Sequence, residues 1–496
     1  MKINKHKLKH GYKFKQFAGQ PITGAVRDLA PERVIIPMLQ GTGRPVQPLV
    51  KRGDQVKRGQ IIGRDDNTLS HPVHTSLSGT VHAVKKVDTP EGNVTAVFIT
   101  GQAEAGWQVL EGATTNWQSL PSARLEELIY LAGAAACGPC GIPTQHKSAA
   151  ILPNEVEHII IRQVAADIYN LSLAVLLEGE RFESFLTGLL ILQKLMPQAN
   201  IHIVMDDKQI HRLEQIDTRR NDPKLRYHTL PGKYPAQQDE VLIPLVLNQP
   251  FPYGFTPAQS GVIPLDPQAL IHVAEAVTRG KPVLERIIPL SGPCVRHPGH
   301  YRVPVGMPVA DITSGLLDEE KPARLLFDSV LTGTQIPDPE QPFTRNHTQL
   351  IALQDKPQGE FMAFARPGFR KDSISNTFLA KLLPIQKLVD SNMHGETRAC
   401  LSCGYCSDVC PTGLLPQLLH RYVDKKIFDE NLLTYKIAHC IECNLCTYVC
   451  TSKIDVAGLI RQGKEGLRKE GYDIYQAIRT AFQLKGLTDD ESGGDA

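Results

Sequence analysis

The sequence predicts a multidomain chain of β and α/β layers that ends in a helical, cysteine-bearing module. Three observations carry this. At 496 residues the chain exceeds what one hydrophobic core serves, so three or four domains are expected. Valine- and isoleucine-rich segments with glycine turns give way to alternating helices and strands, and then to strands again. Eight of the eleven cysteines form two runs, Cys400-x2-Cys403-x2-Cys406-x3-Cys410-Pro411 and Cys440-x2-Cys443-x2-Cys446-x3-Cys450.

Residues 1–30 form a basic arm, with Lys2, Lys5, Lys7, Lys9, Lys13 and Lys15 beside His6 and His10. Such charge suits an anionic lipid surface, an acidic partner or a solvated tail. Residues 31–110 read as a barrel-sandwich, lipoyl-like half-barrel. Val34-Ile35-Ile36-Pro37 leads to Lys51-Arg52-Gly53-Asp54-Gln55-Val56-Lys57-Arg58-Gly59-Gln60 and then to Ser78-Gly79-Thr80-Val81. Glycine supplies the hairpin turns and the β-branched residues supply half-buried strands. No lysine sits at a hairpin tip as a carrier domain requires, so this unit is read as structural.

Residues 111–285 alternate between helix and strand. Leu125–Ala136 has helical periodicity, His158–Arg162 and Ile201–Met205 read as buried strands, and Phe182–Met196 as the amphipathic helix between them. That order argues for a Rossmann-like α/β domain with a mostly parallel sheet. Residues 286–355 return to β structure, with Arg286–Leu290 and Tyr301–Gly306 as strands. Residues 356–480 read as a helical ferredoxin domain, with Leu414–Val423 and Leu432–Ala438 packed between its metal centres. Residues 481–496 are an acidic tail expected to be disordered.

The cysteine spacing carries the chemistry. Three thiolates two residues apart on one tight loop can hold three corners of a cubane, and a fourth, three residues on, serves the cube of the other loop. This two-cluster pattern assigns Cys400, Cys403, Cys406 and Cys450 to one [4Fe–4S] cluster, and Cys440, Cys443, Cys446 and Cys410 to a second. Structural zinc takes four ligands, usually as two separated pairs, which would leave the third cysteine of each run surplus. Disulfides need an oxidising compartment, and residues 1–30 carry no apolar signal core. Electron transfer is the expected work of such a module.

Composition narrows the rest. Apolar content of 42% and charged content of 21% are ordinary for a globular chain, and a net charge of +2 gives no argument for nucleic acid. No run of about eighteen apolar residues occurs, and Leu171–Leu195 is broken by Glu178, Glu180, Arg181 and Glu183. Membrane association is therefore expected to be peripheral.

Together the pieces resemble the RnfC family, peripheral iron–sulfur subunits of ion-translocating ferredoxin:NAD oxidoreductases. The resemblance covers most of the chain. It rests on Arg33–Pro37, Lys51–Gln60, His71-Pro72-Val73-His74-Thr75-Ser76-Leu77-Ser78-Gly79-Thr80-Val81, Gly280-Lys281-Pro282-Val283-Leu284-Glu285-Arg286, Cys410-Pro411-Thr412-Gly413-Leu414-Leu415-Pro416 and Cys440-Ile441-Glu442-Cys443. It implies a β-grasp (SLBB) domain at 286–355, a place on the cytoplasmic side of the plasma membrane, and membrane subunits as partners. Ferredoxin or another redox protein is implied as an exchange partner. A related sodium-pumping quinone reductase subunit shares the front half without the clusters.

The family binds FMN and NADH in its α/β domain, and there this chain departs. The usual G-G-A-G-F-P-T-x-x-K loop reads Gly138-Pro139-Cys140-Gly141-Ile142-Pro143-Thr144-Gln145-His146-Lys147, so Gly138, Gly141, Thr144 and Lys147 are what remains of a flavin loop. Pro139 removes a backbone donor, and Cys140 is expected to crowd the phosphate. The N-G-A-E-C-E-P patch reads Arg162-Gln163-Val164-Ala165-Ala166-Asp167-Ile168, with Asp167 a partial acidic substitute. K-Y-P-x-G-G-E reads Lys233-Tyr234-Pro235-Ala236-Gln237-Gln238-Asp239, and the N-V-G-T patch falls near Leu265-Asp266-Pro267-Gln268. Four altered patches predict a surviving scaffold without normal FMN and NADH binding. An FMN-containing, NADH-oxidising subunit stays open as the alternative.

Weaker signals receive plain readings. Cys137-Gly138-Pro139-Cys140 spells a thioredoxin motif but follows a helix, so a buried pair is expected rather than a redox dithiol. Cys294 is expected to be structural. His71 and His74 read as turn residues, Tyr405 and Tyr448 as packing beside the clusters, and His439 as a group able to tune one of them. Lys453 and Arg461 are candidates to offset cluster charge.

Overall fold

The computed structural model describes residues 2–14, 17–90, 92–102, 106–146, 148–220, 222–320, 323–354 and 397–475. Lys15, Lys147, the first part of the expected ferredoxin domain and the acidic tail lie outside them. A five-stranded sheet, parallel throughout, has the order Ile3–Lys5, Leu225–Leu230, Asn200–Asp206, His158–Gln163, Val262–Leu265. Successive residues feed opposite faces, as a two-residue period demands. Ile159 and Ile161 join the core under the helices Ser122–Leu131, Glu180–Leu195 and Pro267–Arg279, while Ile160 joins a second core under Asp239–Leu247. A parallel sheet covered on both faces follows from such near-continuous apolar strands.

The Pro267–Arg279 helix shows how locally these boundaries are set. Asp266 accepts from the Ala269 amide at 2.7 Å, Pro267 fills the first turn, and Gly280 ends the helix at φ 58°.

The front unit has two small sheets. Arg33–Pro37, Gly92–Gln102, Ser78–Thr89 and Gln55–Val56 form one, and Gln47–Pro48, Ile61–Arg64 and Val73–His74 the other. They close on Val34, Ile36, Val56, Ile62, Leu77 and Ile99. A fourth, mixed sheet of six strands has the order Thr334–Gln335, Ala323–Phe327, Leu350–Gln354, Glu285–Ser291, Gly299–Pro304, Arg27–Asp28. The cysteine module, described from residue 397, is helical, with Pro416–Asp424 packed on Val456–Lys469.

Two expectations change. The basic arm is not a solvated tail along its described length. Ile3–Lys5 is an edge strand, Leu8, Tyr12 and Phe14 pack inward, and Phe17 is buried. Lysines point outward between these apolar residues, so the arm is a packed strap that carries exposed charges. Nor are His71 and His74 turn residues, for His71 leads into the strand Val73–His74 and His74 lies in it. Both are buried, and burial lowers each imidazole pKa to about 3, with Arg345 adding to the effect.

Candidate functional site

The two cysteine loops repeat one backbone path at an offset of forty residues. Left-handed conformations fall at Ser402 and Glu442, at Gly404 and Asn444, and at Gly413 and Lys453. One-turn helices follow at Tyr405–Asp408 and Leu445–Tyr448. The fourth sulfur of each run accepts an amide hydrogen bond at 3.4 Å, Leu414 N–H to Cys410 Sγ and Ile454 N–H to Cys450 Sγ. Residues alternating between right- and left-handed conformations turn amides into a concave nest suited to an anion. A thiolate-ligated cluster carries negative charge.

The eight thiols gather in two quartets. Cys400, Cys403, Cys406 and Cys450 line one small hollow, and Cys410, Cys440, Cys443 and Cys446 line the other. Each hollow takes three sulfurs from one run and the last sulfur of the other. Among the described residues no three His, Cys, Asp or Glu side chains close on a single point as one metal ion would require. Three sulfurs from one loop and a fourth from the other, set around one hollow, suit a polynuclear iron–sulfur group. Burial and neighbouring sulfurs push the Cys406 thiol up to about 11 and Cys443 to about 12, and raise Cys446 well above its ordinary value. These thiols ionise readily only when a cation takes the charge.

The quartets differ in setting. Around the first, Cys403 is exposed, as are Leu401 and Tyr405, so Tyr405 does not pack beneath a cluster as expected. The second faces the front of the molecule. Tyr234 Oη donates to Cys443 O at 2.9 Å, Asn444 Nδ2 donates to Leu331 O at 2.8 Å, and Tyr448 is buried against Tyr12 and Phe14. Lys464, which sequence reasoning missed, is 6% exposed and donates to Cys440 O at 2.7 Å and Glu442 Oε1 at 2.8 Å. It stands where Arg461, exposed one turn away, was the candidate. His439 stacks on Tyr253 with ring centroids 4.4 Å apart.

The four altered patches also meet. A cleft of about 530 Å³ opens at the carboxyl ends of the parallel strands, lined by Gly138, Pro139, Arg162, Asp167, Gln237 and Asp266 among others. Gly138 is the one described remnant of the flavin loop on this wall. Gly141 turns inward because its backbone passes Ser148 O, where a Cβ would lie 2.5 Å away. Thr144 is buried on Ser148 Oγ at 2.8 Å. Cys140 does not crowd the cleft as expected, for it packs into the main core. Lys147 lies outside the described residues.

The cleft fits a flavin phosphate poorly. Pro139 offers no amide, Arg162 is bound to Asp239 and to Gln237 O, and Arg286 pairs with Asp266 at 2.6 Å. Burial raises the Asp167 carboxyl to about 6. Both arginines are thus already paired with carboxylates, Asp239 and Asp266. The Cys137 and Cys140 thiols are pushed up to about 11 by burial, opposite to what a reactive dithiol needs, and Cys294 is buried.

Comparison with known proteins agrees with this layout. Residues 10–104 match the RnfC barrel sandwich hybrid domain, and residues 396–454 match a 4Fe-4S dicluster domain. The C component of the ion-translocating oxidoreductase complex of Vibrio cholerae is 26% identical over 416 residues, covering 83% of this chain and 49% of that protein. The chain thus spans about half the length of that relative. The C component of the proton-translocating ferredoxin:NAD(+) oxidoreductase complex of Clostridium ljungdahlii is 24% identical and covered to 82% on both sides. The Na(+)-translocating counterpart from Acetobacterium woodii is 25% identical, over 81% of this chain and 83% of its own. A NAD+-reducing [NiFe]-hydrogenase chain superposes with a TM-score of 0.40 and 13% identity over 77% of this chain and 67% of that one, too loosely to carry an argument.

Proposed function

We propose that this chain, which is similar to RnfC proteins over most of its length, serves as an electron-transfer subunit of a membrane-associated oxidoreductase complex. The observation that carries this is the pair of crossed thiol quartets. Cys400, Cys403, Cys406 and Cys450 hold one [4Fe–4S] cluster, and Cys410, Cys440, Cys443 and Cys446 hold the other. Such clusters, when bound, take up and release one electron at a time. The protein's residues supply the thiolates, fix them on left-handed turns and exclude water around Cys443 and Cys446. The exposed edge at Leu401, Cys403 and Tyr405 suits exchange with a ferredoxin or another redox protein. The quartet behind Tyr234 is turned toward the rest of the chain.

In this reading the mixed sheet is the β-grasp SLBB domain, the parallel sheet is a Rossmann-like domain whose flavin pocket is degenerate, and both serve as docking scaffold for membrane subunits. No helix among the described residues is long and apolar enough to cross a membrane; in this reading the subunit sits peripherally on the cytoplasmic side, as its likeness to RnfC proteins implies. A flavin-bearing, NADH-oxidising subunit is the second reading, favoured by the size of the cleft. Anaerobic purification followed by iron, sulfide and flavin analysis and a potentiometric titration tests both. Two reversibly reducible clusters without flavin are expected. Zinc in place of iron refutes the proposal, and stoichiometric FMN selects the second reading.

A further inference from the structure

Four histidines run diagonally across one face of the parallel sheet. His6 Nε2 lies 2.9 Å from His228 Nδ1, His228 Nε2 lies 3.0 Å from His202 Nδ1, and His202 Nε2 lies 3.0 Å from His158 Nδ1. The strand register makes the row regular. His158 faces Asn200, two residues before His202; His202 faces Arg226, two before His228; His228 faces Asn4, two before His6. A step of two keeps every ring on the same face. The middle rings are buried, with 4% and 3% exposure, and the outer two are half-buried.

The spacing fixes the kind of contact. A metal in line between two imidazole nitrogens would hold them about 4 Å apart, twice the usual Zn–N distance. At 2.9–3.0 Å the contacts are N–H···N hydrogen bonds. A neutral imidazole has one donor and one acceptor nitrogen. Three consecutive bonds therefore set all four rings in one sense, each Nε2–H donating to the next Nδ1, or all reversed. The charged groups facing the row are Arg226, toward His158, His202 and His228, and Glu157, toward His158. Burial, acting first and aided by Arg226, keeps the inner rings neutral.

We propose that His6, His228, His202 and His158 form a proton relay across the sheet, spanning three strand spacings or about 14 Å. A proton taken up at His6 Nδ1 releases the Nε2 proton of that ring to His228 Nδ1. His228 and His202 repeat the step, and His158 releases a proton from Nε2. One proton enters and one leaves, no electron moves, and the row is left in the opposite sense until the transfer reverses or the rings rotate. This relay does not depend on the cluster reading.

The test uses the full chain, labelled with 15N-histidine, and measures exchange of the ring N–H protons of His202 and His228 with water. In the unmodified protein these protons should exchange faster than the neighbouring backbone amides of Ile203 and Tyr227, despite their burial. Replacing either end ring, by His6→Gln or separately by His158→Gln, should slow that exchange by about tenfold while leaving those amides unchanged. A glutamine amide can keep a hydrogen bond but cannot pass a proton on. Ring protons as protected as the amides in the unmodified protein would overturn the relay. So would slowing by neither variant, or by only one when both fold. The two substitutions sit at opposite ends of the row, so misfolding of one leaves the other to decide.

Discussion

Replacing Lys464 with methionine should lower the potential of the cluster held by the inner quartet. The lysine is buried, its ammonium bonds to Cys440 O at 2.7 Å, and its charge already lowers the Cys440 thiol pKa against burial. For an assumed separation of about 8 Å and an effective dielectric near 20, a unit charge beside the cluster would favour its reduced state by about 2 kcal/mol. For a one-electron couple that is about 90 mV. Methionine keeps most of the aliphatic packing and removes the charge, and Glu442, left without its partner, pushes in the same direction. The assay is a potentiometric titration followed by electron paramagnetic resonance, with iron content measured on the same sample. The inner couple should fall by roughly 60–100 mV while the outer one stays in place, and Lys464→Arg should restore it. A variant with full iron whose inner couple moves by less than about 20 mV would refute the reasoning.

Other outcomes follow from the same structure. Cys410→Ser should cost the cluster of the Cys440 loop, and Cys450→Ser that of the Cys400 loop; loss of the cluster from the mutated run would disprove the crossing. His74 stays neutral in the fold, with a pKa near 3, whereas an unfolded chain takes up the proton near 6.5. Its share of stability is therefore intact above pH 6.5 and falls as pH drops toward 3. At pH 5 this amounts to about 2 kcal/mol, so hydrogen exchange of the front unit should be less acid-sensitive in His74→Leu by that amount. A Cβ at Gly463 would lie 2.6 Å from Val423 Cγ2 and 2.8 Å from Ile437 Cδ1. Gly463→Leu should destabilise the cysteine module by about 3 kcal/mol, read as a lowered melting temperature and poor iron loading.

The sequence made some of this legible and hid the rest for physical reasons. Cysteine spacing constrains a loop tightly, so the gathering of two quartets could be anticipated from it. The strands His158–Gln163 and Asn200–Asp206 were plain because isoleucines there serve both faces of a parallel sheet. The strap was misread because its lysines dominate any charge count, while Leu8, Tyr12, Phe14 and Phe17 between them do the packing. Cys140 was placed in the cleft because the path of Gly141 past Ser148 O is a tertiary constraint. Lys464 did leave a trace: it follows Ile460 by one helical turn, on the stripe of Val456, Gly463 and Leu467, where an apolar residue belongs. The histidine row could not be seen at all, since its members are aligned only by strand register.

The strap has a consequence for how the units are coupled. Its anchors are Tyr227–Thr229, Tyr234, Val409 and Tyr448, so one segment ties the outer edge of the parallel sheet to both cysteine loops. Loosening either loop therefore loosens the edge strand Ile3–Lys5 with it, and local opening of the two should be cooperative rather than independent.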